Sequence, residues 1–135
     1  MGIHAAADCC YEWEWYGKLV GGYFKNHPAV QTATVQVVST NHLSTQGLPA
    51  QFQHTDEWYN FKDLNPDVTV LLKVDEKSYK GGENGEVHPV AWYHKYDGGR
   101  AFYTAFGHTT ENYMNDEVFL KHLAGGIKYA LGRKI

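Results

Sequence analysis

This sequence has little cysteine, little proline and no long apolar run. Its 135 residues include two cysteines and four prolines, and the formal net charge is −3. No apolar stretch approaches the roughly 18 residues that a membrane-spanning helix needs. No basic cluster points to nucleic acid, and no basic amphipathic stretch points to a membrane surface. We therefore expect neither a nucleic acid nor a membrane as a partner.

The two cysteines, Cys9 and Cys10, are neighbours in the chain. A bond between adjacent cysteines closes a strained ring, so we expect no disulfide here. The sequence also lacks the CxxC pairs of a metal knuckle. This cysteine usage favours a reducing compartment such as the cytoplasm.

Aromatic residues, in contrast, are abundant. Hydrophobic residues make up 43% of the sequence and aromatic ones 15%, with ten tyrosines and four tryptophans. This length and apolar content suffice for a single domain, residues 1–135, with its own core. Tyr and Trp often line carbohydrate clefts, because the ring packs on a sugar while the polar tip forms hydrogen bonds. They lie even more often at the margin of a core, so composition leaves both uses open.

Periodicity predicts a mixture of helices and strands. The predicted elements are a helix over 11–24, a strand over Thr32–Ser39, a turn-rich segment over 40–55, a buried strand over Val68–Val74, a Gly-rich acidic loop over Lys80–Val87, strands over Val90–Lys95 and Arg100–Phe106, and a helix over 115–131. Asp97-Gly98-Gly99 favours a tight hairpin between the last two strands, and Asn115 is the predicted cap of the final helix. The order indicates an α/β domain with an antiparallel hairpin near its C-terminus.

Two histidines follow predicted strand positions. His108 comes directly after Arg100–Gly107, and His4 follows Gly2-Ile3 and precedes three alanines. Open α/β sheets commonly present reactive groups at the carboxyl ends of their strands. His4 could instead belong to a frayed terminal segment. Whether the two imidazoles meet is the main question that the sequence poses.

Other ionisable groups stand beside aromatic residues. Asp56 and Glu57 precede Trp58-Tyr59, and such a pair of carboxylates serves either as acid and base or as the start of a turn. His88 precedes Pro89 and either points into a cleft or satisfies a loop carbonyl. The chain has no HExxH pair, no Walker loop and no GxSxG elbow. Local motifs therefore do not define a reaction.

Six segments, in order along nearly the whole chain, resemble the ThuA-like (trehalose utilisation) family. They are GIHAAAD (2–8), WYGKLVGGYFKNHPAVQ (15–31), HTDEWYNF (54–61), HPVAWYH (88–94), GGRAFYTAFGH (98–108) and FLKHLAGGIKYALG (119–132). The combination is specific, although each segment alone is not.

The resemblance implies an α/β, flavodoxin-like sheet in a three-layer sandwich of the class I glutamine-amidotransferase type. His4 then occupies the elbow where amidotransferases carry cysteine, and His108 the position of their histidine. Because the thiol is missing, we expect no glutamine hydrolysis. Domains of this family normally carry several elements before the elbow, so the resemblance implies an N-terminally truncated domain. Its exposed sheet surface predicts self-association into a homo-oligomer.

The resemblance also implies a small-molecule sugar, a trehalose-related glycoside or keto-sugar, as the substrate. We expect His4, His108 and Glu57 to be catalytic, with no cofactor. The expected substrate-binding residues are Asp56, Tyr59, His88, Trp92 and Arg100. One alternative is a site in which His4, His108 and a carboxylate bind a divalent metal ion. Another is a non-catalytic carbohydrate-binding or scaffold module.

Overall fold

A six-stranded sheet with a helix packed on it organises this chain, whose computed structural model describes residues 1–133. The elements are β1 (Gly2–Ile3), α1 (Glu14–Val20), β2 (Tyr23–Asn26), β3 (Gln31–Val37), β4 (Gln51–Asp56), β5 (Asn60–Lys62), β6 (Thr69–Val74), β7 (His88–Tyr96), β8 (Gly99–Thr104), α2 (Thr110–Asn115) and α3 (Glu117–Ala130). Short 3₁₀ turns cover His4–Ala7 and Glu76–Ser78. The domain is therefore mixed α/β, as the sequence predicts.

The large sheet has the strand order β1–β8–β7–β6–β3–β4, and β2 and β5 form a separate antiparallel ribbon. β1 runs parallel to β8, with Gly2 opposite Tyr103 and Ile3 opposite Thr104. The other pairs of the large sheet are antiparallel. β1–β8 is thus the one parallel pair among residues 1–133. The flavodoxin-like three-layer arrangement stays a prediction. The truncation of the domain also stays a prediction.

The predicted C-terminal hairpin is present. β7 and β8 pair from Ala91–Thr104 to Tyr96–Gly99, and both Asp97 and Gly98 have positive φ angles of 48° and 74°. β7 begins at His88, two residues earlier than expected, because His88 pairs with Val74 of β6. The hairpin lies inside the sheet, between β1 and β6, and its second strand, β8, leads towards His108.

Three predicted elements differ in the structure. The helix predicted over 11–24 is confined to Glu14–Val20, because Gly21 adopts a left-handed φ of 90° and the chain continues into β2. The sequence predicts turns over 40–55, but residues 51–55 belong to β4, whose inward residues include His54 and Asp56. The helix predicted over 115–131 is present as α3, but it begins at Glu117, because Asp116 separates it from α2.

Asp116, and not Asn115, caps the C-terminal helix. Its side chain accepts a hydrogen bond from the backbone N–H of Phe119 at 2.8 Å, which satisfies a free donor at the start of α3. α3 then packs closely on β8, since a Cβ placed on Gly126 would collide with the ring of Phe102. The close approach buries His122 between helix and sheet.

The core combines the inner faces of β3, β6, β7 and β8 with Trp58, Tyr59 and Phe61.

The structure joins Cys9 to Cys10 in a disulfide, contrary to the expectation from their adjacency. In the described residues, none of the helices has the length and apolarity required to cross a bilayer.

Candidate active site

The placement of His4 follows from the pairing of β1 with β8. His4 comes directly after β1 and has a φ of 44°, which is uncommon for a residue with a side chain. Two contacts to β8 and the residue that follows it hold His4: the Tyr103 hydroxyl donates to the His4 carbonyl at 2.8 Å, and His4 Nδ1 lies 2.7 Å from the Ala105 carbonyl. The backbone and the ring of His4 are therefore both fixed.

Glu57 and His108 meet His4 at this edge of the sheet. Glu57 follows β4 directly, and His108 lies four residues beyond the end of β8. Glu57 Oε2 lies 3.1 Å from His4 Nε2 and 3.3 Å from His108 Nδ1. The two imidazole centroids are 5.2 Å apart. The expected convergence of these three side chains is thus present in the fold.

A third histidine, His27, also contacts Glu57. Its Nδ1 lies 3.2 Å from Glu57 Oε1, so imidazoles approach both carboxylate oxygens. His27 is not among the site residues that the sequence predicts, although its position before Pro28 repeats the His88-Pro89 pattern. Only the fold shows that the turn after β2 brings it to Glu57.

Solvent access divides the cluster in two. The side chains of His4 and Glu57 are 9% and 12% exposed, whereas those of His27 and His108 are 38% and 42% exposed. His4 and Glu57 thus form a buried pair, and the outer histidines face the solvent. Surface grooves of about 560 Å³ and 500 Å³ lie elsewhere, so the site is identified by the convergence of its groups rather than by cavity size.

The hydrogen bonds of His4 determine which of its ring nitrogens carries a proton. Because a carbonyl oxygen only accepts, Nδ1 must carry the proton that it donates to Ala105. In the neutral ring, Nε2 then presents a lone pair to a Glu57 oxygen, which also carries lone pairs. A favourable contact requires a proton or a cation between these two atoms. The pair is therefore built to hold a positive charge at this position.

Tyr59 forms one wall of the buried pair. Its ring centroid lies 4.2 Å from that of His4 and 4.4 Å from that of Phe24. Burial, followed by the negative charge of Glu57, raises the pKa of Tyr59 to about 12. The phenol therefore stays protonated and acts as an apolar wall with a polar tip.

Asp56 lies beneath the cluster and is fully buried. Burial by itself would raise its pKa, but hydrogen bonds from His54 and from the backbone N–H groups of Gly107 and Glu57 outweigh it and lower the pKa. Asp56 is therefore an ionised carboxylate whose oxygens are already occupied. The residue that the sequence predicts to contact a sugar thus lies in the interior, where its oxygens accept hydrogen bonds from the protein.

The remaining expected binding residues do not join the cluster. His88 is fully buried. Its Nε2 lies 2.8 Å from the Tyr59 carbonyl oxygen, and its Nδ1 lies 2.8 Å from Glu76 Oε1. Trp92 is also fully buried, and its indole N–H donates to the Val20 carbonyl at 2.8 Å. Arg100 is exposed and lies over the ring of Tyr129, 5.7 Å from its centroid. The structure thus places two of these residues in the interior and Arg100, on β8, at the surface against Tyr129 of α3.

The donor set of the cluster suits a transition-metal ion. One ligand atom from each of His4, Glu57 and His108 lies within 4.8 Å of the other two. Two imidazoles and a carboxylate are common ligands of zinc and of non-haem iron. In such sites the second ring nitrogen of a ligating histidine usually donates to a carbonyl or a carboxylate, as His4 does to Ala105.

Residues 1–130 match the family described as trehalose utilisation (ThuA). The chain belongs to the ThuA family. No curated protein sequence matches it. The resemblance seen in the six sequence segments is therefore confirmed at the level of the family.

Solved structures agree with this assignment. A ThuA-like protein from Bacteroides uniformis is 28% identical and aligns over 98% of this chain and 58% of its own, with a TM-score of 0.78. A ThuA-like protein from Parabacteroides merdae shares the fold at 17% identity and a TM-score of 0.74, over 98% of this chain and 61% of its own. A β-galactosidase from Bacillus circulans sp. alkalophilus aligns over 87% of this chain and 15% of its own, at 14% identity and a TM-score of 0.56. This chain thus spans about three fifths of the length of the two ThuA-like proteins.

Proposed function

We propose that this ThuA-like domain performs acid–base chemistry on a sugar at the cluster of His4, Glu57 and His108. The observation that carries the proposal is the convergence of these groups from three separate segments of the chain, with both histidines within 3.3 Å of one carboxylate oxygen. The description of the family as trehalose utilisation supports a glycoside as the substrate class.

Each residue has a distinct role in this proposal. His108 is the outer group, and its exposed ring would exchange a proton with the substrate. Glu57 would orient that ring and stabilise the imidazolium that forms, as carboxylates beside catalytic histidines do. His4, fixed through Ala105, would hold Glu57 in place from the buried side. Tyr59 and His27 would border the bound sugar.

An oxidised sugar fits this chemistry better than an ordinary glycoside. A ketone acidifies the neighbouring C–H bond, so a single positioned imidazole can remove that proton. A C=C bond then forms as the glycosidic oxygen on the next carbon leaves, and the His108 imidazolium would return the proton to that oxygen, so the products are an alcohol and an unsaturated keto-sugar. Direct hydrolysis, in contrast, usually requires two carboxyl groups flanking the bond, and this cluster offers only Glu57. The proposed substrate is therefore a keto-glycoside.

The test compares turnover of keto-trehalose by the wild type, His108→Ala and Glu57→Gln. Positioned acid–base groups typically contribute about 100-fold to 10,000-fold, so both variants should lose at least about 100-fold in kcat. Glu14→Gln is a matched control for the loss of a carboxylate and should retain activity, because the exposed Glu14 pairs with Lys18 rather than with a histidine of the cluster. Equal turnover by the wild type and His108→Ala would remove His108 from the mechanism, and sugar binding without turnover would favour a binding module.

A metal-assisted reaction is the second candidate, and the geometry of His4 favours it. His4, Glu57 and His108 would hold a divalent ion, with His27 nearby at the other oxygen of Glu57. The ion would supply a Lewis acid to polarise the ketone. Zinc titration by calorimetry tests this candidate: one site that is lost in His4→Ala supports it, and the absence of heat together with a metal-free protein after mild purification refutes it.

A further inference from the structure

The buried carboxylate of Asp56 receives more hydrogen bonds than any group in the candidate site itself. Its five donors are His54 Nε2 at 3.0 Å, Glu57 N at 2.9 Å, Gly107 N at 2.8 Å, His108 N at 3.1 Å and Asn112 Nδ2 at 2.7 Å. Three of these donors are backbone N–H groups of the segments that carry the proposed catalytic side chains. Asp56 therefore connects the end of β4 to the segment that follows β8.

Only a carboxylate can occupy this position without losing hydrogen bonds to these donors. An ionised carboxylate accepts at about four lone-pair sites and donates nothing, so it comes closer than any other side chain to satisfying these five donors. An asparagine would place an NH₂ group against some of the same donors. Gly107 adds a second constraint, because its φ of 108° suits glycine alone and turns the chain so that its N–H and that of His108 both point at Asp56.

Two further residues orient the carboxylate. His54 is 3% exposed and lies between two carboxylates, with Nε2 on Asp56 and Nδ1 at 2.8 Å from Asp116 Oδ2. Both contacts are hydrogen bonds only when both nitrogens carry protons, so the imidazolium form satisfies them. Asp116 is itself fixed, because its other oxygen accepts the N–H of Phe119 at the start of α3. A continuous chain of contacts thus links the helix cap to His108.

We propose that Asp56, His54 and Asp116 form a positioning unit that fixes the spacing between Glu57 and His108. None of the three would touch the substrate; they act through the backbone of the residues that do. The proposal rests on the proposed function for its effect on turnover. Its structural part, the immobilisation of the Gly107–His108 backbone, does not depend on which reaction the site performs.

The test uses three variants that weaken the unit at different points. Asp56→Asn removes acceptor capacity, and His54→Ala removes the central imidazole. Asp116→Asn removes the charge facing His54 but keeps a good helix cap, since asparagine caps helices as well as aspartate. Asp75→Asn is the matched control, because Asp75 also accepts a backbone N–H, that of Lys77, but lies far along the chain from the site.

Amide hydrogen exchange and kinetics are measured on all variants. We expect exchange at Gly107 and His108 to accelerate at least about tenfold in Asp56→Asn and His54→Ala, and less in Asp116→Asn, while exchange at core amides such as Val90 stays unchanged. With keto-trehalose, kcat should fall about 10- to 100-fold with KM within about threefold, the usual loss for residues that orient catalytic groups. Asp75→Asn should match the wild type.

Chemical rescue separates positioning from general damage. His54 borders an open surface groove of about 400 Å³, which gives a small molecule access to the void that alanine leaves. Millimolar imidazole should slow exchange at His108 again in His54→Ala and should not affect Asp56→Asn. Wild-type exchange at Gly107 and His108 in His54→Ala and Asp116→Asn would overturn the proposal. A wild type without turnover would refute the proposed function alone, since the exchange measurement still decides about the unit.

Discussion

Acidification should destabilise this domain through a histidine that is not part of the proposed catalytic cluster. His122 lies on α3, is fully buried, and packs between the rings of Phe102 and Phe106 at centroid distances of 5.4 and 5.9 Å. Its Nδ1 lies 3.0 Å from the Ser44 carbonyl and its Nε2 lies 3.2 Å from the Thr104 hydroxyl. The neutral ring forms both hydrogen bonds, so protonation of His122 would add no stabilising contact to the folded state.

Burial lowers the pKa of His122 to about 4 in the folded protein. In the unfolded chain an ordinary histidine has a pKa near 6.5, so the unfolded state takes up a proton first as the pH falls. Stability is therefore complete above about pH 6.5 and is lost as the pH falls towards 4. For His122 alone, the change from pH 7 to pH 5 should cost about 2 kcal/mol of the free energy of unfolding.

Urea unfolding of the wild type and His122→Gln at both pH values measures this cost. Glutamine can keep a donor towards Ser44 and an acceptor towards Thr104, but it does not titrate. The variant should start less stable and lose about 2 kcal/mol less than the wild type between pH 7 and pH 5. Between pH 7 and pH 8.5 the two proteins should change in parallel. An equal loss in both proteins on acidification would refute the reasoning.

Three further predictions concern packing, ionisation and assembly. Gly125→Ala should lower the free energy of unfolding by about 1–3 kcal/mol, read as a lower melting temperature, because the new Cβ would collide with the backbone at Leu43 and Ser44. Tyr59→Phe should remove a tyrosine that ionises only near pH 12 in an ultraviolet titration, since burial and Glu57 raise that pKa. Light scattering should show a homo-oligomer, and a monomer at all concentrations would contradict the expected self-association.

The strongest local signals in the sequence predicted their elements correctly. The β7–β8 hairpin combines alternating aromatic residues with Asp97-Gly98, whose positive φ angles match the turn. The strand over 68–74 is a run of apolar residues and is buried in the sheet as β6. In both places, propensity, pattern and turn chemistry favour the same structure, which is the condition under which sequence reasoning succeeds.

The sequence signal failed where polar residues face inward. β4 alternates between exposed and buried positions as a strand should, but two of its inward residues are His54 and Asp56, so no hydrophobic alternation marks it. His27 was missed for a different reason, since nothing in the turn after β2 shows that it will meet a carboxylate thirty residues later. Both omissions concern contacts that exist only in the folded chain.

The polar inner face of β4 has a physical explanation in the proposed site. Burying the charge of Asp56 is unfavourable unless hydrogen bonds compensate, and five donors do so. A valine at this position would fit the strand pattern better, but it would leave the N–H groups of Gly107 and His108 without their acceptor. The strand therefore departs from the hydrophobic pattern at the residue that connects Glu57 to His108, which is where a requirement for positioning outweighs the requirement for an apolar core.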